Sequence, residues 1–351
     1  MPGPDTVENA RGTFAAPCYR MSSVAYELAR CHVCGAAETD EIANIDDVRA
    51  EVEALWAFHT RRMRPGTPPK RLLDRAAFSE RPPVRVVRCR ACGLVYRNPQ
   101  ERERELREIY ESEDGLEPEV LEGLHCTQRE SYRAQARRLT GVHDTAGTGL
   151  EIGSYVGAFL AAARDAGWRF EGVDVNEAAV CFARSKGFSV TEGTIDAIPL
   201  TRRFDAVAIW NCLDQLADPR HVIARARGLL KPDGVLAVRV PNGEAYARWR
   251  HAAIADGSRV ARALLAHNNL LTFPYRYGFT QRSLTRLLRD AGLRMVRVHG
   301  DTLVPIADRY TLPWASLEER VVKVALRLAR KLRITPASAS PWIEVYARPL
   351  T

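Results

Sequence analysis

No stretch of this sequence approaches the ~20 consecutive apolar residues that a bilayer-spanning helix needs. The N-terminus also lacks the charged-then-apolar pattern of a secretory leader. A cytoplasmic protein is the expectation, and in a reducing compartment its eight cysteines should stay thiols, so that close pairs point to metal rather than disulfides. The dinucleotide fingerprint G-x-G-x-x-G is missing, which argues against a dehydrogenase. Arginine-glycine repeats and RNA-binding aromatic motifs are missing too. A net charge of +8 and a pI near 9.2 therefore stand without a nucleic-acid motif beside them, and general solubility accounts for them as readily as an anionic partner does.

What is present centres on Leu150-Glu151-Ile152-Gly153-Ser154-Tyr155-Val156-Gly157-Ala158. It reads as a short apolar strand closed by an acid, a glycine turn, and the start of a helix. Glycine lets backbone approach a ligand where a Cβ would clash. The helix start aims free N–H groups and a positive dipole end at the same place. A second strand, Arg169–Asp174, ends in an acid about 21 residues after Gly153, the spacing of a carboxylate that accepts from both hydroxyls of a ribose. The loop holding Ile195 and Asp196 follows a third strand, so Asp196 could accept from an adenine amino group with Ile195 or Ile198 against the ring. Phe204–Trp210 and Val235–Val240 read as the fourth and fifth strands, and Arg294–His299 and Ile343–Ala347 as the sixth and seventh.

The run E-x-G-x-x-x-G, strand-Asp174, acidic loop, Phe204-Asp205 strand, Leu230-Lys231-Pro232-Asp233-Gly234, then Gly278-Phe279-Thr280, resembles the class I S-adenosylmethionine-dependent methyltransferases that modify small molecules, over about 148–300 and 342–349. The resemblance implies a Rossmann-like α/β fold. Its seven-stranded, mostly parallel sheet carries helices on both faces, with the last strand antiparallel and inserted beside the fifth. It also implies a cofactor set: Glu151, Gly153 and Gly157 around the methionine moiety, Asp174 at the ribose and Asp196 at the adenine, with Ser154, Tyr155, Val175, Ile195 and Asn211 as further cofactor-binding residues. A histidine common in the loop after that strand is replaced here by Gln215, so no catalytic histidine carries over.

Upstream stand two C-x-x-C pairs, Cys31/Cys34 and Cys89/Cys92, each followed by glycine. Two thiolate knuckles complete the tetrahedral shell of a structural zinc site. Cys89-Arg90-Ala91-Cys92-Gly93-Leu94-Val95-Tyr96 and Asn98-Pro99 resemble methyltransferases that carry such a domain ahead of the catalytic one. Between the knuckles, Val48, Val52, Leu55, Trp56 and His59 recur at helical spacing and predict a helix from Asp46 to about Arg62, capped by Asp46 or Asp47. His32 reads as a bystander. The expected organisation is a disordered tail over 1–22, with Met21 an alternative start, and a zinc-ribbon-like domain over 23–100. A helical linker over 101–145, with helices near 101–112 and 126–139, then leads to the methyltransferase domain over 146–351.

Ligands of open α/β sheets bind outside the carboxyl ends of the strands. The long segments 241–279 and 301–341 leave that edge and are the expected substrate covers. His267, Tyr275, Tyr277 and Asp214 are the candidates for an aligning or proton-transfer role there; side chains buried only for packing are the competing reading for each. The second cover holds an amphipathic helix near 317–334. Leu317, Val321, Val324, Ala325, Leu328 and Leu332 lie on one face, and Arg320, Lys323, Arg327, Arg330 and Lys331 elsewhere. It suits peripheral contact with an anionic membrane or packing on its own domain. The leading reading is transfer of a methyl group to a small-molecule acceptor, such as a sugar, a lipid-linked compound or a secondary-metabolite intermediate. An RNA methyltransferase is the second reading, and a non-catalytic cofactor- or zinc-binding interaction protein the third.

Overall fold

The computed structural model describes residues 26–67, 83–102, 104, 118–268, 276–302, 310–332 and 339–350. In chain order its N-terminal part forms β1 (Tyr26–Glu27), β2 (Thr39–Ala43), α1 (Ile45–Thr60), β3 (Arg85–Cys89), β4 (Val95–Asn98) and β5 (Gln100–Glu101). α1 starts where expected, but its cap is Asn44, not Asp46 or Asp47. The Asn44 side chain accepts from the Asp47 amide while the Asp47 carboxylate accepts from the Asn44 amide, a reciprocal capping box. The tail over 1–22 and most of the predicted helix near 101–112 lie outside the described residues; at the helix's expected start, Glu101 belongs to β5.

A 26-residue helix, α2 (Pro118–His143), longer at both ends than the sequence suggests, leads into β6 (Thr148–Ile152), α3 (Ala158–Asp165), β7 (Arg169–Asp174), α4 (Glu177–Ser185), β8 (Val190–Glu192), β9 (Phe204–Trp210), α5 (Pro219–Leu229) and β10 (Leu230–Pro241). After these come α6 (Gly243–Ala255), α7 (Arg259–His267), β11 (Tyr277–Gly278), α8 (Gln281–Asp290), β12 (Leu293–Asp301), α9 (Pro313–Lys331) and β13 (Trp342–Pro349). The strand order of the large sheet is β12-β13-β10-β9-β6-β7-β8. β13 is antiparallel to both neighbours, and the pairs among β10, β9, β6, β7 and β8 are parallel. This is the expected seven-stranded Rossmann-like sheet. Its inner strands are near-continuous apolar runs because helices cover both faces; Val207, Ala208 and Ile209 have no exposed surface.

The small sheet runs β11-β4-β3-β2. Its edge strand β11 therefore comes from the segment after β10, inside the expected methyltransferase domain. One hydrophobic core runs from Cys31, Cys89, Leu94 and Tyr96 through Tyr277 and Phe279 to Ile209, Leu236 and Val240. Residues expected in a 23–100 unit and in a 146–351 unit thus share one core. Both cover segments pack on the N-terminal part. Tyr246 and Ala245 of α6 share a cluster with Val48, Val86 and Val95, and Ala266 of α7 packs on Leu55 and Phe58. α9 is tied to the end of α1 by the Arg62–Glu318 ion pair at 2.7 Å.

α9 turns its faces opposite to the usual arrangement. Its inward side carries Lys323, fully buried and paired with Glu319, while Leu317, Val321, Val324, Leu328 and the adjoining Leu332 are 46–68% exposed.

Candidate functional site

Four adjacent carboxyl strand ends, of β9, β6, β7 and β8, bring the expected cofactor residues into one line along the sheet edge. At the centre the chain leaves β6 through Gly153 (φ 72°), Ser154, Tyr155 (φ 45°) and Gly157 (φ 67°). The left-handed conformation at Gly153 favours glycine, and a Cβ there would lie 2.7 Å from Cys212 Sγ. Tyr155 and, across the cleft, Asn211 (φ 55°) hold the same unfavoured region without being glycine. Such strain concentrates at ligand-binding turns.

Asp174 at the end of β7 faces this turn. Its Oδ2 accepts from the Tyr155 amide at 2.7 Å and its Oδ1 from the Asn176 amide at 3.0 Å. Each carboxylate oxygen has two lone pairs, so the ring of amides fixes the group and leaves it able to accept from hydroxyls. Burial raises its pKa, opposed by the amides of Asn176, Tyr155 and Val175. Glu151 lies deeper, 2% exposed, and its Oε2 has no hydrogen-bond partner. Burial, reinforced by the charge of Asp174, holds Glu151 well above the usual carboxylate range. An orphaned buried carboxyl beside a glycine cradle fits the cationic amino group of the methionine moiety.

On the far side, Ile195 and Ile198 are both 2% exposed and belong to the core, so they form the floor under the loop rather than an open face. Asp196 is half exposed and pairs with His221 Nε2 at 2.9 Å and Arg225 Nε at 3.1 Å. An adenine amino group would have to share this carboxylate with His221 and Arg225.

The acceptor-side candidates separate. Asp214 follows β9 and is fully buried; burial pushes its pKa up to about 8 against its own amide, Gln215 and Arg239. Its backbone carbonyl accepts from the Arg276 and Tyr277 amides at 2.8 and 3.2 Å. Tyr277 is 1% exposed, packs at a tilt against His32 with centroids 5.3 Å apart, and donates to the Ala217 carbonyl at 3.3 Å. It holds the ribbon to the β9 loop. His32, read as a bystander, is part of that joint. His267 lies edge-on to Phe58 at 5.0 Å, with Nε2 3.9 Å from Glu318, inside the junction of α1, α7 and α9. Tyr275 lies outside the described residues.

The four candidate ligands converge. The Sγ atoms of Cys31, Cys34, Cys89 and Cys92 all lie within 4.8 Å of one another. Four thiolates around one zinc sit ~3.8 Å apart, so the set fits a tetrahedral ion. The two knuckles are alike in detail. Gly35 donates to the Cys31 carbonyl and Gly93 to that of Cys89, at 2.7 and 2.9 Å, both glycines having positive φ.

Sequence reasoning missed three arginines. Arg239, without exposed surface in β10, pairs with Asp301 at 3.1 Å and donates to Asn211 Oδ1 at 3.1 Å, bracing the strained residue. A charge inside the run Val235-Leu236-Ala237-Val238-Arg239-Val240 was the available signal. Arg97 and Arg276, buried at the small-sheet junction, gave none.

A glycine-turn cleft at the carboxyl edge of a mostly parallel sheet defines an open α/β protein of the nucleotide-binding kind. Residues 125–298 match the family described as a methyltransferase domain. Solved structures are similar in outline. A 1,6-didemethyltoxoflavin-N1-methyltransferase of Burkholderia thailandensis is 16% identical with a TM-score of 0.45, covering 76% of this chain and 96% of its own. The CcbJ methyltransferase of Streptomyces caelestis is 17% identical with a TM-score of 0.42, covering 63% and 90%. A SAM-dependent methyltransferase of Archaeoglobus fulgidus is 19% identical with a TM-score of 0.41, covering 63% and 94%. No curated protein matches the sequence.

Proposed function

We propose that the protein transfers a methyl group from S-adenosylmethionine to a small-molecule acceptor, and that one zinc ion held by Cys31, Cys34, Cys89 and Cys92 fixes the ribbon that borders the acceptor side. The observation that carries this reading is the buried, unpartnered Glu151 carboxyl beside the Gly153 turn, in line with Asp174 on the next strand. The donor, when bound, supplies a methyl group on a sulfonium, and an in-line displacement needs alignment and exclusion of water more than acid–base chemistry. Glu151 neutralises the donor's amino group, the Gly153 backbone lets the chain close on it, and Asp174 holds the ribose hydroxyls. Asn211, braced by Arg239, borders the methyl-bearing end. An acceptor that must lose a proton would find Asp214 beside this end, carrying the proton itself below about pH 8.

Calorimetry tests the reading directly. S-adenosylmethionine and S-adenosylhomocysteine should bind one per chain, and Glu151→Gln should weaken the first by tenfold or more. Tighter binding of NADH than of S-adenosylmethionine would overturn the donor assignment. Metal analysis should find one zinc per chain, and none in a Cys89→Ser/Cys92→Ser variant.

A further inference from the structure

Arg276 lies directly opposite Arg97 across the β11–β4 ladder, one step beyond the Tyr277–Tyr96 pair, and the Arg97 amide donates to the Arg276 carbonyl at 3.1 Å. Residues directly opposed in an antiparallel ladder put their side chains on the same face, where like charges repel. Both are buried, at 6% and 4% exposure, which makes the repulsion harder to screen. One carboxylate answers the two guanidinium groups. Glu101 Oε1 accepts from Arg97 Nη2 at 2.9 Å, and its Oε2 stands 3.9 Å from Arg276 Nε. Gln100 Oε1 and the Glu101 carbonyl accept from Arg276 Nη2 at 2.6 and 3.0 Å. The Nη1 atoms of both arginines remain without a hydrogen-bond partner. A buried pair of guanidinium groups with one compensating charge is costly to keep unless an anion completes it.

The two side chains border a small, partly open cavity of about 30 Å³, whose wall also includes Pro241, Asn242 and Tyr246. Pro241 and Asn242 stand at the carboxyl end of β10, and Arg276 is one hydrogen bond from the Asp214 loop after β9. This is the acceptor side of the sheet edge. We propose that Arg97 and Arg276 form an anion site that binds a carboxylate or phosphate group of the acceptor. Both source chemistries suit a planar guanidinium fork. The identity of the ligand as acceptor rests on the methyltransferase reading; the anion site does not.

The experiment uses the full chain, zinc-loaded and saturated with S-adenosylhomocysteine, titrated at constant ionic strength with inorganic phosphate, inorganic pyrophosphate and acetate. At least one probe should bind one per chain, and its rank against the others tells phosphate from carboxylate. Arg97→Gln should weaken that probe at least tenfold. Glu101→Gln, which removes the competing carboxylate, should strengthen it several-fold, an effect that a purely structural role would not give. Zinc content and S-adenosylhomocysteine affinity report whether each variant is folded; if Arg97→Gln is not, the Glu101→Gln arm decides. Absence of saturable binding by every probe, or an unchanged affinity in the folded variants, overturns the site. Failure of S-adenosylhomocysteine to bind the wild type would instead remove the methyltransferase reading, with the probe titration still deciding the site.

A second, independent observation concerns α9. Its exposed stripe Trp314, Leu317, Val321, Val324, Leu328 and Leu332 is accompanied on the exposed side by Arg320, Arg327 and Lys331, and by no acid. Glu318 and Glu319 are drawn inward to Arg62 and Lys323. A second copy laid along the stripe would set two unbroken positive flanks side by side, whereas an anionic lipid surface matches both stripe and flanks. We infer that α9 docks on anionic membranes. Wild-type protein should sediment with phosphatidylglycerol-containing vesicles and not with pure phosphatidylcholine, and a Leu317→Gln/Val321→Gln/Leu328→Gln variant should stay in the supernatant. Vesicle binding that is absent or unchanged in the variant overturns this, as does a concentration-dependent dimer that the variant abolishes.

Discussion

The two halves of the sheet edge are built by different means. The donor half, around β6, β7 and β8, is made of one continuous stretch, in which Gly153 and Asp174 meet through neighbouring strands. The acceptor half draws on chain far apart in sequence: the ribbon, α1, α6, α7, β11 and α9. Short local motifs suffice for the first. The second depends on the cysteine cluster, because the sheet that carries β11 also carries Cys89. Damage to the ribbon should therefore spread into the acceptor half and spare the donor half.

Removing zinc should have the largest effect. Structural zinc contributes an apparent ~10–16 kcal/mol in small domains. With chelator, hydrogen exchange should rise steeply over 85–101 and, through the shared sheet, over 277–280, while 150–174 stays protected. Equal loss in both halves would break the comparison. Next in size is the donor half itself. Asp174→Ala should weaken S-adenosylmethionine tenfold or more, since hydrogen bonds to a charged acceptor contribute about 1.5–3 kcal/mol. Calorimetry reads this, and zinc content should not change.

A subtler contrast lies within the acceptor half. Tyr277→Phe and His267→Ala remove side chains that the structure places in packing junctions. The expected outcome is a melting temperature lower by several degrees, with near-normal turnover of the folded fraction. Asp214→Asn should behave differently and cut turnover by ~100-fold for any acceptor that must be deprotonated. With such an acceptor the wild-type rate should rise with pH through about 8, because only the ionised carboxyl accepts a proton. A flat pH profile would remove Asp214 from that role.

The smallest effect belongs to Asp205, far from either site. Burial raises its pKa, but Lys231 at 2.7 Å and the Thr148 amide and hydroxyl win and hold it to about 2. A depressed folded pKa gives stability that is present above the ordinary carboxylate value near 4 and lost as pH falls toward 2. Asp205→Asn should lower stability at neutral pH, and the difference from wild type should close across that window in acid denaturation.

The sequence by itself determined the glycine-turn half of the sheet edge and the four-cysteine cluster. Glu151, Gly153, Gly157 and Asp174 sit at spacings dictated by one strand, one turn and one helix, and C-x-x-C-Gly is a complete knuckle within six residues. The strands were legible because inner parallel strands must be apolar throughout. The tertiary structure alone decided the rest. Arg97 and Arg276 are unremarkable in sequence, and only the β4–β11 pairing makes them neighbours. Tyr277 and His267, candidates for chemistry by sequence, lie against His32 and Phe58 because distant elements close over them. In α9 the hydrophobic period specified a face but not its direction. Arg62, from another part of the chain, pairs with Glu318 on α9, while Lys323, bonded to Glu319, turns inward, so these charged side chains face the protein and the apolar stripe faces outward. Periodicity within one helix cannot encode which side a neighbour will take, because that depends on partners more than 250 residues away.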